Sequence, residues 1–273
     1  MPFLIITLLA LAYIVWLVGE PRWRQWQRQR VRQHPFPDAW RDILKRRVPY
    51  VRALPADLQL QLKKHIQVFI AEKSFIGCAG QAITDEVRVT IAAQACLLLL
   101  NGPDTYYPGL RQILVYPDAF VVQRKHTDAS GVVHEGHDVL SGESWQEGQV
   151  ILSWHDTVHG AATPDDGQNV VIHEFAHQLD QQTGVANGAP ALSRREHYAH
   201  WAHVMHEEYG RLQKAIGDQQ DTLINPYGAT DPAEFFAVIS EAFFEQGKRL
   251  AQEHPALYRE LAHFYRLDPL SWH

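Results

Sequence analysis

The sequence predicts an α+β fold in which a layer of helices is followed by a small sheet and then by a second group of helices. Two observations carry this prediction. Apolar residues recur at helical spacing before residue 100 and again beyond residue 163. Between these regions lie three short segments that are rich in β-branched residues and bounded by Gly, Pro or Asp: 111–122, 131–140 and 148–154. A hydrophobic N-terminal helix is expected to precede this domain.

The composition limits the possible functions. With 273 residues, of which 46% are apolar, the chain can form one large domain or two small ones. Its formal net charge of −6 disfavours a nucleic-acid-binding surface over the whole protein, so we expect no direct nucleic-acid partner. The two cysteines, Cys78 and Cys96, form no CxxC pattern and provide neither a disulfide framework nor a thiolate metal site. Any bound metal must therefore have histidine and carboxylate ligands.

The N-terminal segment 1–19 carries no charged side chain. A helix of this length spans roughly 27 Å, close to the thickness of a bilayer core. Residues 20–34 follow as a basic juxtamembrane linker with five arginines and two tryptophans, as expected on the cytoplasmic side of a membrane. The sequence thus predicts a transmembrane or membrane-anchor helix at 1–19 and a domain at 35–273 on the cytoplasmic face of the inner membrane. The alternative is an apolar helix packed on a soluble cytoplasmic domain.

Two helices are predicted in the N-terminal layer. The first covers 55–72, where apolar residues recur at helical spacing. The second covers 84–100, begins at Thr84 and stops at the turn formed by Asn101 and Gly102. Because this second helix becomes apolar on all sides, we expect it to be deeply buried.

Four helices are predicted after the sheet, over 163–184, 193–214, 231–248 and 254–265. The first is expected to start at Pro164. Ser193 and Glu196 are expected to form a capping box at the start of the second. Asp231 is the predicted N-cap of the third, with Pro232 at its first position.

The helix predicted over 163–184 contains HEFAH, which matches the pattern HExxH. On a helix, His173 and His177 leave the same face one turn apart, so that both can bind one metal ion. Glu174 projects along a different line of the helix, where it can reach a metal-bound water. The pattern is typical of zinc-activated hydrolysis, although in a chain with 16 histidines a chance match has a probability of roughly one in twenty.

A third metal ligand is required, and the residues alone leave its identity open. The segment 225–246, NPYGATDPAEFFAVISEAFFEQ, places Glu234 and Glu241 seven residues apart on similar faces of an otherwise apolar helix. Burial of two carboxylates in such surroundings is costly unless a metal ion or a metal-bound histidine compensates for it. Other acidic candidates lie on the predicted downstream helices: Glu196, Glu207, Glu208 and Glu245.

Long segments of the chain resemble the Mlc titration factor A peptidases: VVIHEFAHQLDQQTG, YGATDPAEFFAVISEAFFE and the strand region from LVYPDAFVV to GQVILSW. The resemblance covers most of residues 35–270 and implies that Zn²⁺ is bound by three ligands: His173, His177 and Glu234. It also implies that Glu174 is the general base and that Tyr227 stabilises the developing oxyanion. The family is in turn similar to the catalytic domain of anthrax lethal factor, which implies a zincin-like metallopeptidase fold for residues 35–273.

Two functions follow from this resemblance. The first is a zinc-dependent, aminopeptidase-like metallopeptidase in which a zinc-activated water attacks a peptide or protein substrate. The alternative is a regulatory protein that binds and sequesters a transcriptional repressor of glucose-transport genes. The two functions are not exclusive. The presence of Glu174 favours retained catalysis, because a protein that only binds a partner has no need of a general base.

Several polar residues have roles that the sequence leaves open. Asp180 or Glu241 is a candidate to orient a ligand histidine. The segment 149–154 is expected to be an edge strand whose backbone binds substrate, as in zincin-like peptidases. His155 and His159 are expected in a loop near the cleft. Four further histidines recur at intervals of three: His197, His200, His203 and His206. This spacing drifts by about 60° per step around a helix, so they are not expected to share a second metal ion.

Overall fold

The computed structural model describes residues 2–127, 133–140, 142–145, 148–192 and 194–272. In these residues the helices are α1 (Pro2–Gln33), α2 (Asp38–Arg47), α3 (Ala56–Glu72), α4 (Asp85–Leu97), α5 (Trp154–Ala162), α6 (Val170–Asp180), α7 (His197–Gly217), α8 (Pro232–Glu245), α9 (Gly247–Glu253) and α10 (Pro255–Tyr265). The strands are β1 (Ser74–Gly77), β2 (Gln112–Tyr116), β3 (Phe120–Thr127), β4 (Val133–Leu140), β5 (Gly142–Trp145) and β6 (Gln149–Ser153). Short 3₁₀ helices lie at Pro49–Ala53, Gln181–Thr183, Pro226–Ala229 and Pro269–Ser271. The predicted helix-rich α+β fold with a small sheet is thereby confirmed.

Among the described residues, the main sheet has four strands in the order β1-β2-β6-β5. β1, β2 and β6 are parallel, whereas β5 pairs antiparallel with β6, from Gly142 opposite Leu152 to Trp145 opposite Gln149. β3 and β4 form a separate antiparallel pair. The prediction that 149–154 is an edge strand is therefore wrong, because β5 pairs with the outer side of β6. β5 is the edge strand, and it contacts α6.

α4 lies in the hydrophobic core, as its apolar sequence predicts. Every residue from Val89 to Leu97 is buried, and the hydroxyl of Thr84 accepts a hydrogen bond from the Val87 backbone N at 3.4 Å at the helix start. α4 packs against α2, α3, α5 and α6. It therefore provides an apolar support beneath the HExxH helix, α6.

α6 begins at Val170, later than predicted. Asn169 is its N-cap, because the side-chain Oδ1 of Asn169 accepts a hydrogen bond from the Ile172 backbone N at 3.0 Å. Pro164 lies in the preceding loop, where Gly167 has a φ of 77°. A helix does not contain this left-handed conformation, so the helix cannot start at Pro164.

The start of α8 matches its prediction. The carboxylate of Asp231 accepts hydrogen bonds from the backbone N atoms of Ala233 and Glu234 at 2.8 and 2.9 Å, and Pro232 is the first helical residue. The capping box predicted at the start of the helix over 193–214 includes Ser193, which lies outside the described residues.

α5 and α9 were not predicted. The hydroxyl of Ser153 accepts a hydrogen bond from the Asp156 backbone N at 3.2 Å and thereby caps α5 directly after β6. His155 and His159 consequently lie on a helix, and their predicted placement in a loop is wrong. α9 follows α8 after a single residue, Gln246.

α1 is one continuous helix whose C-terminal part is bound to the domain. The guanidinium of Arg28 donates to both carboxylate oxygens of Glu72, at 2.6 and 2.9 Å. Arg32 donates to Asp104 at 2.5 Å and to the Tyr106 hydroxyl at 2.7 Å. In the part of the chain that the structure describes, no helix is sufficiently long and apolar to cross a membrane.

Candidate metal centre

The packing of α6 determines where the HExxH residues project. Phe175 is fully buried against Phe69 and Tyr107, with ring centroids 5.6 and 4.8 Å away, and this contact anchors one face of the helix in the core. His173 and His177 retain 13% and 11% of their side-chain exposure. Their Nε2 atoms lie 3.2 Å apart, as the spacing of the two histidines predicts.

Glu234, from the first turn of α8, completes a group of three ligand atoms. Its Oε2 lies 2.9 Å from His173 Nε2 and 3.5 Å from His177 Nε2. Zinc binds nitrogen and oxygen ligands at about 2.0–2.1 Å, so two ligand atoms of a tetrahedral site lie about 3.3 Å apart. The distances between the three atoms therefore fit a tetrahedral zinc site, in which the fourth position is left to a non-protein ligand.

In the described ranges, no other group of three His, Cys, Asp or Glu residues has its ligand atoms within 4.8 Å of one another. The remaining acidic candidates have partners elsewhere. Glu207 contacts His203, Glu208 contacts His254, Glu196 contacts Arg194 and Glu245 contacts Asn169. Among the carboxylates that the sequence left open, Glu234 is the one that has an oxygen close to Nε2 of both His173 and His177 in the described residues.

The electrostatics of this group favour a cation. Burial alone would raise the pKa of Glu234, but hydrogen bonds with His173 and His177 hold it well below its usual range. Burial alone would lower the pKa of His173, but its hydrogen bonds with Glu234 and Glu241 raise it well above the usual value. Two carboxylates thus favour a positive charge at this point, as a metal-binding site requires.

Glu241 makes the other contact of His173. Its Oε1 lies 2.8 Å from His173 Nδ1, on the side of the ring away from Glu234. A carboxylate in this position keeps the proton on Nδ1 and leaves the Nε2 lone pair for a metal. Of the two residues proposed to orient a ligand histidine, Glu241 has the required contact.

Asp180 has a different structural role. Its Oδ2 accepts hydrogen bonds from the backbone N atoms of Asn187 and Gly188, at 2.8 and 2.7 Å. These bonds hold the loop that follows α6. Gly188 has a φ of 75°, and an added Cβ would lie 2.4 Å from the Pro232 backbone O, so the loop fits closely against the start of α8. Asp180 therefore stabilises the surroundings of Glu234 through the loop.

Of the two proposed catalytic residues, Glu174 lies between the two histidines in the sequence and Tyr227 lies seven residues before Glu234. Glu174 is 4% exposed, and its charge acts on His173. Tyr227 lies in the 3₁₀ helix just before α8, is 48% exposed and has its ring centroid 6.1 Å from that of His173. The structure thus places the half-exposed ring of Tyr227 near that of His173.

In the described part of the chain, the histidines of α5 and α7 do not converge on a second group of metal ligands. His155 contacts its neighbour Asp156, and His159 lies 3.9 Å from Asp166. Three histidines of the row on α7 contact three different residues: His197 contacts His263, His200 contacts Glu260 and His203 contacts Glu207. These contacts direct the three side chains toward different neighbours.

Asn169 was not among the predicted site residues, and Glu245 was considered only as a candidate third ligand. Asn169 is fully buried between α6 and α8, and its side chain donates to Glu245 at 2.9 Å. One signal was available, since Asn169 directly precedes the apolar start of α6 and Asn is a favoured N-cap.

Comparison with known proteins agrees with this geometry. The model of the family described as glucose-regulated metallo-peptidase M90 matches residues 23–266. An uncharacterized protein of Synechocystis sp. is 42% identical over 271 residues, which cover 99% of this chain and 98% of that protein. Two proteins named Mlc titration factor A are similar as well. The one from Enterobacter sp. is 35% identical over 86% of this chain and 89% of its own, and the one from Klebsiella pneumoniae subsp. pneumoniae is 36% identical over 82% and 84%.

These matches confirm the resemblance to the Mlc titration factor A proteins that the sequence motifs indicated. They cover the HExxH helix and the helix that carries Glu234. A metallopeptidase family also implies a bound metal ion, which is consistent with the three converging side chains. The chain belongs to the glucose-regulated metallo-peptidase family M90.

Proposed function

We propose that the protein is a zinc-dependent, aminopeptidase-like peptidase whose metal is held by His173, His177 and Glu234. The observation that carries the proposal is the spacing of the three ligand atoms, 2.9 to 3.5 Å, beside the buried Glu174. Zinc is the metal that two imidazoles and one carboxylate suit best. When bound, it supplies a Lewis acid that makes water acidic enough to act as a nucleophile at neutral pH.

The side chains divide the remaining chemistry. Glu174 accepts a proton from the attacking water and delivers it to the leaving amine. Tyr227 donates a hydrogen bond to the oxyanion that develops on the substrate carbonyl. Glu241 holds the Nδ1 proton of His173 and thereby fixes the direction of the ring.

Removal of the metal tests the proposal as a whole. We expect a chelator to abolish hydrolysis of short peptides with a free N-terminus by the purified full chain, and about one equivalent of Zn²⁺ to restore it. Peptidase activity and zinc content are measured on the same samples. Undiminished hydrolysis in fully metal-free protein would contradict the proposal.

Tyr227 offers a test that leaves the metal ligands in place. Tyr227→Phe removes only the hydroxyl, so we expect the zinc content to stay the same and kcat to fall about 10²- to 10³-fold, as for loss of one oxyanion donor. The measurement is kcat and KM with a peptide substrate. Tyr209→Phe is a matched control, because its hydroxyl donates to the Ala229 backbone O and supports the same 3₁₀ helix. An unchanged kcat in Tyr227→Phe would exclude this role.

The name of the relatives, Mlc titration factor A, favours a second function. In this proposal the protein also binds and sequesters a transcriptional repressor of glucose-transport genes. Binding needs a surface and not a general base, so the two functions are separable by substitution of Glu174.

Attachment to a membrane through residues 1–19, with the domain on the cytoplasmic face, is a further proposal. It rests on the uncharged sequence and its basic flank, and it draws support from Trp23 and Trp26, which are 57% and 46% exposed on α1. We expect the full chain to sediment with cell membranes, to resist a high-salt wash and to be released by detergent. Recovery in the supernatant without detergent would contradict it.

A further inference from the structure

Asn169 bonds to α8 as well as to its own helix. Its Oδ1 caps α6 by accepting from the Ile172 backbone N at 3.0 Å, and its Nδ2 donates to Glu245 Oε1 at 2.9 Å. Its backbone N donates to Glu241 Oε2. Glu241 and Glu245 lie four residues apart and therefore on the same face of α8. The start of the HExxH helix is thus held to α8 by two carboxyl groups.

One of these carboxyl groups also contacts a proposed metal ligand. Glu241 divides its two oxygens between the Asn169 backbone N and His173 Nδ1, the latter at 2.8 Å. Because a carboxylate is planar, the bond to Asn169 fixes the direction of the oxygen that meets His173. The orientation of the imidazole, and hence of its Nε2 atom, follows from that direction.

The surroundings keep Asn169 in one position. On α5, a Cβ added to Gly160 would lie 3.1 Å from both Cα and Cγ of Asn169, so the glycine leaves just enough room for the asparagine. Burial raises the pKa of Glu245 to about 8, and the charges of Glu241 and Asp166 act in the same direction. The hydrogen bond from Asn169 opposes this shift, so the amide is an important donor to a poorly solvated carboxyl group.

We infer that Asn169 is a positioning residue for His173, and that Glu245 holds Asn169 in the orientation that this role requires. The inference rests on the proposed metal centre. It explains why the position holds an amide: aspartate caps a helix equally well but has no donor for Glu245. Asn169 does not touch the metal ligands through its side chain, so its effect is transmitted through Glu241 and the start of α6.

Asn169→Asp keeps the capping oxygen, replaces the amide donor by an acceptor and places a third carboxyl group beside Glu241 and Glu245. We expect the affinity for Zn²⁺, measured by competition with a chelating dye, to fall about tenfold or more. We also expect the visible absorption bands of the Co²⁺-loaded protein to shift, since they report ligand geometry. Thr84→Ala is the matched control: it removes the N-cap of α4, so it should lower Tm and leave both metal readouts unchanged.

A second pair of variants tests the inference if Asn169→Asp does not fold. Glu245→Gln keeps an acceptor for Asn169 and should resemble the native protein, whereas Glu245→Leu removes the acceptor and should weaken Zn²⁺ binding as Asn169→Asp does. Native affinity and an unchanged Co²⁺ spectrum in Glu245→Leu would overturn the inference, and so would equal weakening in both variants.

These readouts do not depend on hydrolysis. A native protein that bound Zn²⁺ but cleaved no peptide would refute the peptidase proposal, while the affinity series would still decide the role of Asn169. A native protein that bound no Zn²⁺ would overturn both.

Discussion

Glu174→Gln is expected to bind zinc as the native protein does and to lose peptidase activity by about 10²- to 10⁴-fold. Glutamine has nearly the same shape as glutamate but cannot accept the proton of the attacking water. Glu174 is not one of the three converging ligands, so the metal-binding group stays intact. The measurement is kcat/KM with a peptide substrate, together with zinc content on the same preparation.

Glu207→Gln is a suitable control, because Glu207 is an exposed residue of α7 that contacts the neighbouring His203. It should change neither activity nor zinc content. Full activity in Glu174→Gln would show that another group is the general base. The same variant also separates the two proposed functions, since binding to a transcriptional repressor should survive the loss of hydrolysis.

Glu234→Ala is expected to weaken zinc binding by more than about 100-fold. Substitution of a residue that only supports a metal ligand typically weakens binding by about 10- to 100-fold, and loss of a ligand itself should weaken it further. The substitution removes the only anionic ligand and leaves two imidazoles, which retain zinc poorly. The fold should persist, because the Asp231 carboxylate still accepts hydrogen bonds from two backbone N atoms in the first turn of α8, and Pro232 remains the first residue of this helix. Zinc affinity by competition with a chelating dye measures the effect.

Glu241→Gln is the informative comparison for this variant. It keeps an oxygen beside His173 Nδ1 and is expected to weaken zinc binding less, by about 10- to 100-fold. If Glu234→Ala kept stoichiometric zinc while Glu241→Gln lost it, the third ligand would be Glu241 and the assignment of the two carboxylates would be reversed.

The histidine pair and the start of α8 were predictable because both depend on local geometry. Residues four apart share a helix face whatever surrounds them, so His173 and His177 had to converge if the helix formed. Asp231 followed by Pro232 is likewise a local signal, and its hydrogen bonds form within one turn. Such features need only a few neighbouring residues to specify them.

The choice between Glu234 and Glu241 depended on packing that spacing alone does not encode. Both carboxylates face α6, but one meets Nε2 of His173 and the other meets Nδ1 of the same ring. The start of α6 was ambiguous for a similar reason. Pro164 and Asn169 are both residue types that commonly begin helices. The helix begins after Asn169, which forms hydrogen bonds with residues of α8 that are more than 70 positions away in the sequence.

The edge strand was mispredicted because β5 is short. Its four residues, GESW, carry no alternating pattern that separates them from the preceding segment. If β5 is not recognised, the outer side of the strand over 149–153 has no partner, and this strand is taken for the edge of the sheet. Only the pairing of Gly142 to Trp145 with β6 reveals that the strand is internal.

Anomalous diffraction at the zinc absorption edge, from crystals of the zinc-loaded full chain, tests the central claim most directly. We expect one strong peak that lies about 2.0–2.2 Å from each of three atoms: Nε2 of His173, Nε2 of His177 and a carboxylate oxygen of Glu234. A peak bonded to other residues, or crystals that take up no zinc at this group, would contradict the proposed metal centre and the peptidase built on it.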